Sequence, residues 1–195
     1  MKVLVACEMS GRVRDAFIKR GHEAMSCDLL DTLVEGPHYT GSVLDILYDG
    51  WDMMIAHPPC TDIAISGSRY FKEKIADGRQ QRALDFVRTL MDAPIDRICI
   101  ENPVSVISTK IRKPDQIIQP YEYGHNASKR TCLWLKNLPL LRGTERISGR
   151  FVDGRERWDN QTDTGQNRLG PSEERAAIRS MTYEGIARAM AEQWG

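Results

Sequence analysis

Trp51-Asp52-Met53-Met54-Ile55-Ala56-His57-Pro58-Pro59-Cys60-Thr61-Asp62 is the stretch from which the rest of the chain is read. The apolar run Met53 to Ala56 predicts a short buried strand. Two prolines end it, because proline cannot continue a sheet ladder and stiffens the chain where it leaves the sheet. Cys60 follows at once. In an open α/β sheet, ligands and chemistry collect beyond the carboxyl ends of the strands. A thiol on a rigid Pro-Pro step there is placed to attack a substrate. A free cysteine is also commonly one more small buried apolar residue. The loop alone leaves both readings open.

A second stretch of the same kind lies downstream, Arg97-Ile98-Cys99-Ile100-Glu101-Asn102-Pro103. It is again a β run that ends in polar residues and a proline. If the two strands are parallel neighbours, Cys60 and Glu101 meet at one rim. A buried Glu there is expected to have a raised pKa and to keep a proton for donation, whereas a strand-end carboxylate in water would do neither. Between the two stretches, Thr61–Arg69 reads as a loop that could close over a site. Arg79 to Met91 reads as an amphipathic helix with Ala83, Phe86, Val87, Leu90 and Met91 on one face.

Upstream, residues 2–7 read as a first strand and Arg12 to Arg20 as a helix, with Ser10 as its N-cap and Gly21 as its stop. A strand, a glycine turn at Gly11 and a helix N-terminus suit a nucleoside cofactor, although generic turn chemistry explains one glycine equally well. Glu23 to Cys27 reads as strand two. It ends in Asp28, where doubly wound folds hydrogen-bond a ribose; an exposed loop carboxylate is the alternative. Thr40 to Leu47 is compatible with a short strand or a helix. Downstream come a strand from Thr131 to Leu135 after Lys129-Arg130, a polar excursion over 142–171, and a closing helix from Tyr183 to Trp194.

With 195 residues the chain has room for one domain and a real core. No apolar run approaches the ~18 residues of a membrane span, and no signal peptide is read. The five cysteines are scattered and offer neither a disulfide framework nor CxxC spacing, which suits a reducing cytoplasm. A zinc site at His57, Cys60, Cys99 and Cys132 lacks ligand spacing, so no metal is expected. Net charge is zero, yet residues 110–157 carry eleven Lys/Arg against five Asp/Glu. Such a segment is either a footprint for a phosphate backbone or a solvated face.

The order of these signals resembles the DNA cytosine carbon-5 methyltransferases. The likeness runs from Ser10-Gly11 through the acidic end of strand two, Trp51-Asp52, Pro59-Cys60, Ile65-Ser66-Gly67, Glu101-Asn102 and the basic pair to the last helix. It is nearest to short, phage-associated members with His-Pro-Pro-Cys, and it spans residues 1–140 and about the last fifteen. The resemblance implies an α/β, Rossmann-like S-adenosylmethionine-dependent methyltransferase fold with a mostly parallel sheet. It also implies S-adenosylmethionine as cofactor and a flipped cytosine in DNA as substrate. Cys60 resembles the nucleophile, Glu101 the acid that protonates ring nitrogen 3, and Asn102 the residue that orders that loop. Cofactor contacts are implied at Cys7, Ser10, Gly11, Asp28 and Pro58, and substrate contacts at Pro59, Ser66, Lys129 and Arg130.

Three features depart from the family pattern. Arg12-Val13 replaces a second glycine, Ser42 stands where the family commonly has Asp, and little chain is left for target recognition. The expected organisation is a catalytic core over 1–141, a small loop-rich insertion over 142–180 as a reduced target-recognition region, and a C-terminal helix over 181–195 that packs back on the core. A specificity partner or a second copy of the chain is expected to assist. Two rival readings remain: an exocyclic-amino DNA methyltransferase, and a catalytically silent nucleic-acid binder.

Overall fold

The computed structural model describes residues 1–170 and 180–195. Five strands run parallel: β1 (Lys2–Ala6), β2 (Glu23–Asp28), β3 (His38–Thr40), β4 (Met53–Ala56) and β5 (Arg97–Pro103). β6 (Gln116–Ile118) and β7 (Thr131–Lys136) complete the sheet, β7 lying antiparallel to both β5 and β6. The order across the seven strands is β3-β2-β1-β4-β5-β7-β6. The chain lays down β1, β2 and β3 to one side and then returns to β4 on the other. The crevice outside the carboxyl ends of β1 and β4 is therefore the topological switch point.

Both faces of the sheet are covered, which is why β1 and β4 are continuous apolar runs rather than alternating ones. Val3, Val5, Met53, Ile55 and Cys99 pack with α1 (Arg12–Lys19) and the closing helix, through Val13, Phe17, Ile186, Met190 and Trp194. Leu4, Ala6, Met54, Ala56, Ile98 and Ile100 pack the other way against Leu84, Val87 and Leu90. Shorter helices α2 (Val43–Ile46) and α3 (Phe71–Ala76) precede the helix that carries those three side chains, α4 (Arg79–Met91). They are followed by α5 (Ile107–Lys110) and the closing α6 (Glu184–Trp194). Among the described residues, no helix is long and apolar enough to cross a membrane.

Several sequence expectations change. Thr40 to Leu47 divides between the end of β3 and α2, with Ser42 as the N-cap of α2. Thr61–Arg69 is not an open loop. It turns into a 3-10 helix over Ile65–Tyr70 and is stitched to the segment after β5, with Ile65 N donating to Val104 O and Val106 N to Ile63 O, both at 3.0 Å. The 142–171 excursion contains a hairpin, β8 (Arg150–Val152) and β9 (Arg155–Arg157). Its turn residues Asp153 and Gly154 both have positive φ, as a type I′ turn requires. Residues 171–179 of the expected insertion lie outside the described residues.

Candidate active site

β4 and β5 pair from Met53↔Arg97 to Ala56↔Ile100, so the residues that follow Ala56 and Ile100 emerge side by side. β5 does not stop there. Its ladder with β7 continues through Glu101↔Leu133, Asn102↔Cys132 and Pro103↔Thr131. Glu101 is therefore a strand residue, 9% exposed, rather than a carboxylate in a loop. Asn102 turns to the other face of the strand and its Nδ2 donates to Pro58 O at 2.8 Å. That bond fixes the Pro-Pro step on β5.

His57 faces Glu101 across the strand pair, with Nδ1 and Oε2 2.9 Å apart. Burial pushes the Glu101 pKa up. The hydrogen bond from His57, the charge of Lys129 and the hydroxyl of Thr131 outweigh it and hold the carboxyl below its ordinary value. The sequence expectation was a raised pKa and a retained proton. It is overturned because the carboxylate is buried among donors rather than apolar atoms.

Cys60 is half-buried on the same step. Its carbonyl accepts from Ile63 N at 3.1 Å and Ala64 N at 2.8 Å. The buried Lys74 ammonium bonds the next carbonyl, Thr61 O, and lies 3.3 Å from Asp62 Oδ1. The thiol thus sits on a backbone held from both sides. Burial, with Asp28 nearby, pushes Cys7 up to about 12 and Cys27 up to about 11. Burial likewise raises Cys99 and Cys132. Among the described residues no group of three or more His, Cys, Asp or Glu is arranged to hold a metal, so the His57, Cys60, Cys99 and Cys132 quartet is not assembled.

Lys129 and Thr131 approach Glu101, while Arg130 between them is exposed. The expected pair therefore divides, one cation at the carboxylate and one in solvent. Gln119 Oε1 accepts from Lys129 N at 2.9 Å, and Asn160 exchanges two bonds with the Ser128 backbone, at 2.9 and 2.8 Å. The hairpin segment is thereby tied to the rim. Pro59 and Ser66 are exposed, the latter on the 3-10 helix.

At the switch point, the backbone of Cys7 adopts φ 57°, an unusual value for a residue with a side chain. It turns the chain so that Glu8 points back under α1. The Glu8 carboxylate accepts from Ser10 Oγ at 2.9 Å, Val13 N at 2.9 Å and Arg14 N at 3.4 Å. Ser10 is therefore not the N-cap. Gly11 occupies that position at φ 71°, and the carboxylate of Glu8 satisfies the free N–H groups. Glu8 was missed in the sequence because it precedes the helix by more residues than a capping motif spans. Gly11 is required by packing: a Cβ there would meet Val34 Cγ2 at 2.5 Å and the Arg14 guanidinium. Asp28, at the tip of β2, accepts from Leu30 N at 3.0 Å.

No protein-family model matches this chain, and no curated protein matches it. Solved structures do. One is a methyltransferase of Entamoeba histolytica, EhMeth, at 17% identity and TM-score 0.53, over 76% of this chain and 58% of that one. Another is a candidate DNA modification methyltransferase encoded within an E. coli prophage, at 14% identity and TM-score 0.47, over 69% of this chain and 46% of that one. The chain spans about half the length of these neighbours. With the mostly parallel seven-stranded sheet, the first likeness identifies a Rossmann-like methyltransferase fold.

Proposed function

We propose that this chain is a DNA cytosine carbon-5 methyltransferase that uses S-adenosylmethionine. The observation that carries the reading is the β4–β5 rim, where Asn102 fastens the Pro-Pro-Cys step to the strand that bears Glu101. A thiol and a carboxyl group on one rim are the pair this chemistry needs. Cytosine carbon 5 becomes nucleophilic only when sulfur adds at carbon 6 and nitrogen 3 gains a proton. In this reading Cys60 supplies the sulfur, Glu101 delivers the proton, and Lys129 balances the carboxylate between turnovers. Pro59 and Ser66 border the flipped base.

The switch-point residues fit the cofactor. The first N–H groups of α1 are already taken by Glu8, which disfavours a phosphate-bearing dinucleotide there. A nucleoside cofactor without phosphate suits that arrangement, with Asp28 toward the ribose and Cys7, Ser10, Gly11 and Pro58 lining the crevice. When bound, S-adenosylmethionine supplies an electrophilic methyl group. For DNA, the exposed Arg130 and Arg155 suit phosphates, and Phe151, 73% exposed on the hairpin, suits a base or groove edge. Residues 1–141 then serve as the catalytic core and 142–180 as a reduced recognition element.

The test is covalent capture. An oligonucleotide containing 5-fluorocytosine, with S-adenosylmethionine, is expected to give a denaturant-resistant adduct with the wild-type chain and none with Cys60→Ser. No adduct from the wild type removes the carbon-5 reading. Methylation without an adduct points to the exocyclic amine, and DNA binding without either points to a silent binder.

A further inference from the structure

The two residues that follow Cys60 are held by side chains from outside the sheet. Lys74, on α3, donates from Nζ to Thr61 O and stands 3.3 Å from Asp62 Oδ1. Gln80, in the first turn of α4, donates from Nε2 to Asp62 O at 3.4 Å. Both side chains are buried, Lys74 at 7% exposure and Gln80 at 4%. The ammonium lies between Thr61 and Gly67: a Cβ at Gly67 would stand 3.8 Å from Nζ and 3.8 Å from Thr61 O. Lysine is seldom buried this far, and taking its cation out of water is costly. Replacing a buried ion pair by apolar side chains of similar volume is often neutral or stabilising. Stability alone therefore does not account for a cation inside the turn that follows the nucleophile.

Resting on the carbon-5 reading above, we propose that Lys74 is a positioning residue, which keeps the Cys60 step in its working place before DNA arrives. Upstream of the sulfur, Asn102 secures Pro58 O. Downstream, Cys60 O accepts from Ile63 N and Ala64 N, Ala64 bridges to Ser105, and Ile65 N donates to Val104 O. Between these anchorages lies Thr61, an exposed residue whose carbonyl accepts from Lys74. The ammonium closes that interval, so the sulfur rides on a backbone bonded on either side of it. Asp62 offsets the charge from a partly exposed position, and the bond to Thr61 O does the positioning. Attack on ring carbon 6 depends on where the sulfur stands, and a displacement of about 1 Å can cost about 10²-fold in rate. With the step already built, DNA binding energy is not drawn on to order it.

Lys74→Met keeps the length of the side chain and removes the donor. Positioning predicts that this variant forms the 5-fluorocytosine adduct about 10²-fold more slowly at saturating DNA, with DNA affinity unchanged. Lys74→Met/Asp62→Asn leaves neither charge of the pair and should stay as slow. Recovery of the rate in that double variant would make the unpaired charge the cause, and a wild-type rate in Lys74→Met would remove any cause; either overturns the proposal. Hydrogen exchange on the wild-type chain gives a readout independent of catalysis and of how a variant folds. The amides of Ile63, Ala64 and Ile65 should be protected without DNA and gain little protection with it. Amides that exchange freely until DNA is added would show a step assembled by the substrate and overturn the proposal. A wild-type adduct with any of these adverse results removes the positioning role alone. Absence of a wild-type adduct removes the carbon-5 reading and this role with it.

Discussion

Glu8 and Glu101 are both buried carboxylates, and each is made tolerable by donors rather than by a single counter-ion. For Glu8 the donors are the α1 backbone and Ser10, so Glu8→Ala is expected to cost about 1–2 kcal/mol, the range of a lost helix cap. Urea unfolding at neutral pH measures it. For Glu101 the folded-state pKa lies below the unfolded one. Its stabilising contribution is therefore complete above the ordinary Glu pKa of about 4.3. It is lost as pH falls through the lower folded value. The stability gap between wild type and Glu101→Gln should accordingly shrink on acidification, as paired unfolding curves across that range would reveal. A gap that widens toward acid would contradict the donor arrangement around the carboxylate.

Strands and helices were legible wherever burial imposed a pattern. Met53 to Ala56 and Arg79 to Met91 read correctly because both sheet faces are covered and α4 has one apolar stripe. The parallel pairing of β4 with β5 was legible in two runs that ended alike. What escaped was set by partners distant in sequence. The extension of β5 past Ile100 depends on β7, and the fixing of Thr61–Ala64 depends on residues 104–106 and Lys74. The Asp153-Gly154 hairpin did carry a local signal, the dipeptide of type I′ turns, obscured by polar flanks. The cysteines test the element-level picture. Those in or at the tips of strands are raised by burial, so brief alkylation of the native protein should modify Cys60 first, as peptide mass spectrometry would register. On the helical layer, Phe17→Ala empties the contact between α1, the sheet and α6, and should cost about 3–5 kcal/mol.

At the scale of the molecule, the zero net charge conceals a segregation, and the basic excess falls on the stretch that carries β7 and the hairpin. On the DNA-methyltransferase reading proposed above, the exposed Arg130 is a cation of that stretch suited to a phosphate. Arg130→Ala should weaken DNA binding about equally across sequences and lower the slope of log affinity against log salt by about 1. Lys129→Ala, whose charge is directed at Glu101, should act on turnover more than on that slope. A salt titration of both variants distinguishes the two.

The paired bonds between Asn160 and the Ser128 backbone bear on engineering. They join the hairpin segment to the same few residues that Gln119 also holds. Transplanting the hairpin alone into another scaffold would leave its footing behind. An exchangeable cassette would have to begin at about Gln119, and swapping it would disturb the cation beside the buried acid along with whatever the arm touches.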